Sequence, residues 1–169
     1  SFDPKRGFIK GFPFGKIGAW IFAAQAVEIE LDEATGKITP LEVWSAHDIG
    51  KAINPSSVAG QVEGGVVQGI GYALYEEMVW DTGRLANPSL MDYKIPGTVE
   101  SPPKINTILI EEPDETGPFG AKGIGEPPIV GIAPAIANAL AHTSGIRLRR
   151  LPMSSESVLR ALREKTDGG

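Results

Sequence analysis

The chain has 169 residues, 41% of them apolar, which suffices for a packed core and argues against wholesale disorder. Sixteen basic against 21 acidic residues leave a net charge of −5, which excludes a broad nucleic-acid or anionic-membrane surface. The absence of cysteine excludes disulfides, thiolate catalysis and cysteine-ligated iron–sulfur clusters from this chain, and His47 and His142 are too few and too far apart for a metal site.

Residues 1–18, with "GFIKGFPFGKIG" mixing Gly and Pro among aromatics, are expected to form an irregular arm. They begin Ser-Phe-Asp-Pro, without initiator Met or signal peptide, as in a processed, proteolytic or recombinant segment. Residues 19–169 are expected to form one unit of mixed α+β class. Trp20 to Leu31 is β-prone, and Val27 to Leu31 alternates as a half-buried strand does. "DEATGK" (32–37) is a turn and "ITPLEVWSAHDI" a returning strand, making a hairpin.

Pro55 and Ser56 open a helix expected to reach about Glu77, because Val58, Val62, Val66, Ile70, Leu74 and Met78 recur every four residues. "DTGRLANPS" is a turn, "INTILIEE" a strand and 113–128 a long loop. Residues 129–142 pattern as a helix that Pro134 should kink or split. Arg147, Arg149 and Arg150 lie in an extended link, after which Ser154 or Ser155 caps a last helix to about Lys165. No apolar run approaches the roughly 18 residues of a membrane span.

Two stretches depart from ordinary element chemistry. "GQVEGGVVQGIG" puts five glycines into twelve residues of a helix pattern, a cost on the order of 5 kcal/mol relative to alanine. Gln61, Gly64, Gly65, Gln68 and Tyr72 share one helix face. The face suits a flat polar ligand between two amides, or tight helix–helix packing with the glutamines solvated.

The second stretch is "GAKGIGEPP" (120–128). Pro127 and Pro128 suit a helix first turn, which puts Glu126 at the N-cap edge, where the macrodipole favours a carboxylate. In a dry pocket such a carboxylate is a good general base, with Gly123 and Gly125 admitting a substrate and Lys122 as an ion-pair partner. Otherwise Glu126 is a helix-start residue without chemistry. His47 and Asp48 are read as structural, since adjacent strand residues point to opposite faces.

"AHDIGKAINP", "GQVEGGVVQGIGYALYEE", "MDYKIP" and "GAKGIGEPP" together resemble, in order and spacing, the molybdenum hydroxylases of the xanthine dehydrogenase/aldehyde oxidase family. The resemblance runs from about Ala19 to Leu162 and falls in the C-terminal portion of the large molybdopterin-binding subunit. It implies that Glu126, in the KxxGE element, is the catalytic base and that Gln61, in GQxEG, contacts the molybdopterin cofactor, with Gly64 and Gly65 letting the pterin approach.

The implied reaction hydroxylates an electron-poor carbon of an N-heterocycle, purine or aldehyde with oxygen from water. Electrons leave through 2Fe-2S clusters, usually to FAD. Family large subunits are several times longer, so the chain is expected to be active only with the remaining N-terminal part of the subunit, an Fe-S subunit and an FAD subunit, in the cytoplasm. "GPFGAKGIGEPP" is closer to the N-heterocycle and purine hydroxylases than to the carbon monoxide enzymes. The alternative is a non-catalytic structural or assembly module of the same descent.

Overall fold

The computed structural model describes residues 2–3, 8–9, 19–115 and 117–167. The expected arm therefore lies mostly outside the described residues, apart from β1 (Phe2–Asp3) and β2 (Phe8–Ile9), which pair antiparallel.

The alternating segment and its return form β3 (Ala23–Asp32) and β4 (Lys37–Asp48), paired antiparallel. Asp32 builds the turn: its carboxylate accepts from the Ala34 N–H at 2.9 Å and the Thr35 hydroxyl at 2.7 Å. A register shift between Glu28 and Ile29 leaves Leu41 as the extra residue of a bulge beside Pro40, which cannot donate to the ladder. β7 (Lys104–Ile110) joins β4 in parallel, giving the order β3-β4-β7. A parallel neighbour needs a long crossover, here α1 (Pro55–Leu74) and the segment carrying the short pair β5 (Trp80–Asp81) and β6 (Arg84–Leu85).

Val27, Ile29, Leu31, Ile38, Val43, Ile105 and Leu109 on one sheet face pack with α1 and with the later helices α2 (Pro127–Val130), α3 (Ile132–Ser144) and α4 (Ser155–Asp167). Phe22, Trp44, Ile108 and Ile110 are exposed. From α1 the core takes Val62, Val66, Ile70 and Leu74. Burying four such side chains contributes about 1.5–3 kcal/mol each, which offsets the glycine cost of this helix.

Asn54 caps α1, its Oδ1 accepting from the Ser57 N–H at 3.1 Å, and Pro55 follows where a missing N–H costs nothing. The helix ends at Leu74 rather than near Glu77, and Met78, the last residue of the four-residue pattern, is exposed beyond it.

The predicted 129–142 helix is two helices, and the break is at Gly131 rather than Pro134. Pro134 falls in the first turn of α3, where proline is tolerated. Gly145, at φ +72°, closes α3 in the left-handed conformation that favours glycine. Of the two serines proposed as the last cap, Ser154 takes the role, its Oγ accepting from the Ser157 N–H at 3.3 Å.

Candidate functional site

The loop before α2 is pinned, from Gly120 to Lys122, to the residues that follow β4. Gly50 and Ala121 form a β-bridge, the Lys51 N–H donates to the Gly120 carbonyl at 3.0 Å, and the Lys122 N–H donates to the Ile49 carbonyl at 2.9 Å. Glu111 adds a tether, accepting from the Ala52 N–H at 2.7 Å and pairing with Lys51.

The Lys122 ammonium meets the Asp48 carboxylate at 2.6 Å, with side chains 7% and 9% exposed. The expected partnership of Lys122 with Glu126 is thus corrected. The i,i+4 relation brings side chains together on a helix, and residues 121–126 are not helical. Burial works to raise the Asp48 carboxyl, but the Lys122 ammonium and the Gly50 N–H outweigh it and hold it below the ordinary carboxylate range.

His47 faces inward with Ser45, its Nε2 2.8 Å from the Ser45 Oγ, and burial lowers its pKa. The two residues of the His-Asp pair thus take separate partners, Ser45 and Lys122.

From this platform the two motif elements meet. Gln61, on the exposed face of α1, donates from Nε2 to the Gly125 carbonyl at 3.1 Å, so its amide touches the residue next to Glu126. Glu126 stands at the N-terminal edge of α2 as predicted, exposed, and its carboxylate makes no capping bond to the helix. The dry pocket imagined around it is not formed by this chain's described residues. A groove of about 560 Å³ lies elsewhere, between β3 and α3, lined by residues including Val27, Trp44 and His142.

The glycine face divides. Gly64 is exposed, and a Cβ there would meet nothing within 4 Å. Gly65 is buried, and a Cβ would lie 2.6 Å from the Pro128 Cβ. Gly69 is equally close to Ile132, at 2.7 Å. Two of the five glycines therefore let α1 approach α2 and α3, the packing alternative of the sequence reading, while Gln61, Gly64 and Gln68 form an open polar strip.

That strip fits a flat polar cofactor. It offers the Gln61 Oε1, which has no hydrogen-bond partner among the described residues, beside a glycine whose outward space is open. Among the described residues no group of three or more His, Cys, Asp or Glu side chains could hold a metal by itself.

Sequence reasoning missed Gln25. Its Nε2 donates to the Ser45 Oγ and to the Pro128 carbonyl, each at 2.8 Å. The signal was available: residues 25, 27, 29 and 31 share the inward phase of β3, and only position 25 is polar.

A molybdopterin cofactor-binding domain model matches residues 5–102. A putative xanthine dehydrogenase molybdenum-binding subunit of Escherichia coli is 38% identical over 139 residues, 81% of this chain and 18% of that protein. The nicotine 6-hydroxylase large subunit of Paenarthrobacter nicotinovorans is 37% identical over 166 residues, 92% of this chain and 20% of that one. The chain thus spans about a fifth of the length of these relatives.

Among solved structures, the aldehyde oxidoreductase of Desulfovibrio gigas superposes with a TM-score of 0.77 at 34% identity, over 85% of this chain and 15% of that one. Quinoline 2-oxidoreductase of Pseudomonas putida 86 gives 0.76 at 34%, over 83% and 18%. The carbon monoxide dehydrogenase of Oligotropha carboxidovorans gives 0.77 at 28%, over 88% and 19%. The chain belongs to the molybdopterin cofactor-binding domain family, as a segment related to the molybdenum-binding subunits of xanthine dehydrogenases and aldehyde oxidoreductases.

Proposed function

We propose that this chain supplies the general base and part of the cofactor cradle of a molybdenum hydroxylase, with Glu126 as the base. The observation that carries the reading is the Gln61–Gly125 hydrogen bond, which joins the two motif elements and leaves the neighbouring Glu126 carboxylate unencumbered. Gln61 offers its free Oε1 to a pterin N–H, and Gly64 gives the ring system room. Gly65 contributes indirectly, by seating α2 against α1. When bound, the molybdenum cofactor supplies the two-electron redox chemistry and activates the oxygen to be transferred. Glu126, whose carboxylate makes no capping bond to α2, would accept the proton released in that step.

The cofactor, the substrate pocket and the electron path are completed by other parts of a larger assembly: the remaining portion of the molybdenum subunit, an Fe-S subunit and an FAD subunit. Support comes from the relatives, which are subunits several times longer, one of them the gamma subunit of a 6-hydroxypseudooxynicotine dehydrogenase complex. The substrate class is an N-heterocycle, a purine or an aldehyde. Identities of 34% to both the quinoline enzyme and the aldehyde oxidoreductase, against 28% to the carbon monoxide enzyme, favour these classes over carbon monoxide. Among the described residues no helix is long and apolar enough to cross a membrane; a cytoplasmic location is part of this proposal.

The test is metal and chromophore analysis of the native complex together with Gln61→Ala. Molybdenum, iron and flavin should be present, and the molybdenum-to-protein ratio should fall severalfold in the variant. An unchanged ratio counts against Gln61 as a cofactor contact, and a native complex without molybdenum favours the non-catalytic module.

A further inference from the structure

Glu126 makes no capping bond of its own, so its location depends on what holds the backbone on either side. Upstream, Lys122 is locked to Asp48 and the Gly125 carbonyl to Gln61. Downstream, the anchor is Gln25. In one continuous helix the Pro128 carbonyl would accept from the residue four positions on. At the break it accepts from Gln25, a side chain from β3 more than 100 residues earlier.

The second hydrogen of the same amide nitrogen goes to the Ser45 Oγ, so Nε2 is fixed at two points and tied to the sheet. The Gln25 Oε1 is buried and lies against Gly131, where a Cβ would collide with it. The sheet, the Pro128 carbonyl and the helix break at Gly131 therefore converge on one amide.

We infer that Gln25 is a positioning residue for Glu126, holding the first turn of α2 at a fixed distance from the sheet through the Pro128 carbonyl. The inference rests on the proposed role of Glu126 as base. A carboxylate that must reach a reacting atom within hydrogen-bond distance tolerates little displacement, and a shift of about 1 Å can cost on the order of 100-fold in rate. Losing the amide leaves the Pro128 carbonyl without this donor and frees α2 to slide over the Gly65 surface.

The test is Gln25→Met in the assembled molybdenum-containing complex, which keeps side-chain length and removes the amide. Three quantities are read: amide deuterium exchange over residues 125–131, the molybdenum-to-protein ratio, and kcat and KM separately. The expected result is exchange over 125–131 faster by about tenfold, with residues 55–74 and 136–144 unchanged. The molybdenum content should be unaltered, kcat lower by about tenfold or more, and KM within about twofold. Unchanged exchange over 125–131, or wild-type kcat per molybdenum, overturns the inference. So does loosening spread equally through α1 and α3 without a kcat change, which marks a merely structural role.

Gly131→Ala, whose Cβ would displace the Oε1 while leaving Gln25 in place, is the second variant should Gln25→Met fail to fold. It should show the same kcat loss, and wild-type behaviour overturns the inference. Glu126→Gln, assayed alongside, separates the two ideas. If it retains turnover the base assignment fails, whereas loss of turnover there with normal Gln25 and Gly131 variants sinks only the positioning role.

Discussion

Lys122→Met removes one half of a buried ion pair whose partners are 2.6 Å apart and less than a tenth exposed. At an effective dielectric of about 20, unit charges roughly 3 Å apart attract with an energy on the order of 5 kcal/mol, most of it offset by desolvation of both groups. The one-sided substitution keeps the desolvation and loses the attraction, which costs about 3–5 kcal/mol. Against a total stability of roughly 5–15 kcal/mol that is a large fraction. Asp48→Asn should cost a similar amount by stranding the lysine, while the Asp48→Asn/Lys122→Met pair, with no buried charge left, should cost far less than the sum.

The assay is a double-mutant cycle from urea unfolding followed by tryptophan fluorescence. The Asp48 pKa is lowered in the folded protein, so its contribution is present above the ordinary aspartate value near 4 and is lost as pH falls through the folded value. The gap between wild type and Lys122→Met should therefore narrow on acidification. Additive single effects, or a Lys122→Met penalty below about 1 kcal/mol, would refute the view that this pair fixes the loop.

Gly64→Ala and Gly65→Ala should separate in opposite directions in the same unfolding assay. The first gains about 1 kcal/mol from helix propensity in open space, and the second loses about 1–3 kcal/mol as its methyl is forced against Pro128. If Gly64 borders the cofactor, the stabilised variant should nonetheless bind less molybdenum. The pKa of His47 is lowered by burial, so its stability contribution is present above about 6.5 and lost as pH falls. His47→Gln should flatten that part of the unfolding free energy as pH falls below about 6.5.

The hairpin, the third strand and the starts of the first and last helices were legible because period-2 alternation, Pro55 at a helix start and a serine cap at 154 or 155 are local signals; the parallel pairing of the third strand was not. What the apolar pattern could not reach was set by backbone hydrogen bonding at the helix end or by partners far along the chain. The four-residue rhythm continued through Met78, but the helix ends at Leu74, and the Tyr75 and Glu76 N–H groups both turn back to the Gly71 carbonyl. Proline at 134 was the visible breaker, yet the break falls at Gly131, where Gln25 arrives from β3.

Lys122 was read as a partner for Glu126 from its place four residues earlier in the same loop, while the real partner, Asp48, lies 74 residues away. Within the site, Gln61 and Glu126 were singled out by motif, and their meeting through Gly125 needed the fold. Gly65 was grouped with Gly64 by helix phase, and only the packing of Pro128 separates them.

Substitution of Glu126 by Gln in the assembled complex is the most direct test of the account, because it keeps the size and hydrogen-bonding reach of the side chain and removes only its capacity to take a proton. The variant should retain the molybdenum-to-protein ratio of the wild type and lose nearly all turnover. Full molybdenum content with substantial turnover would contradict Glu126 as the base.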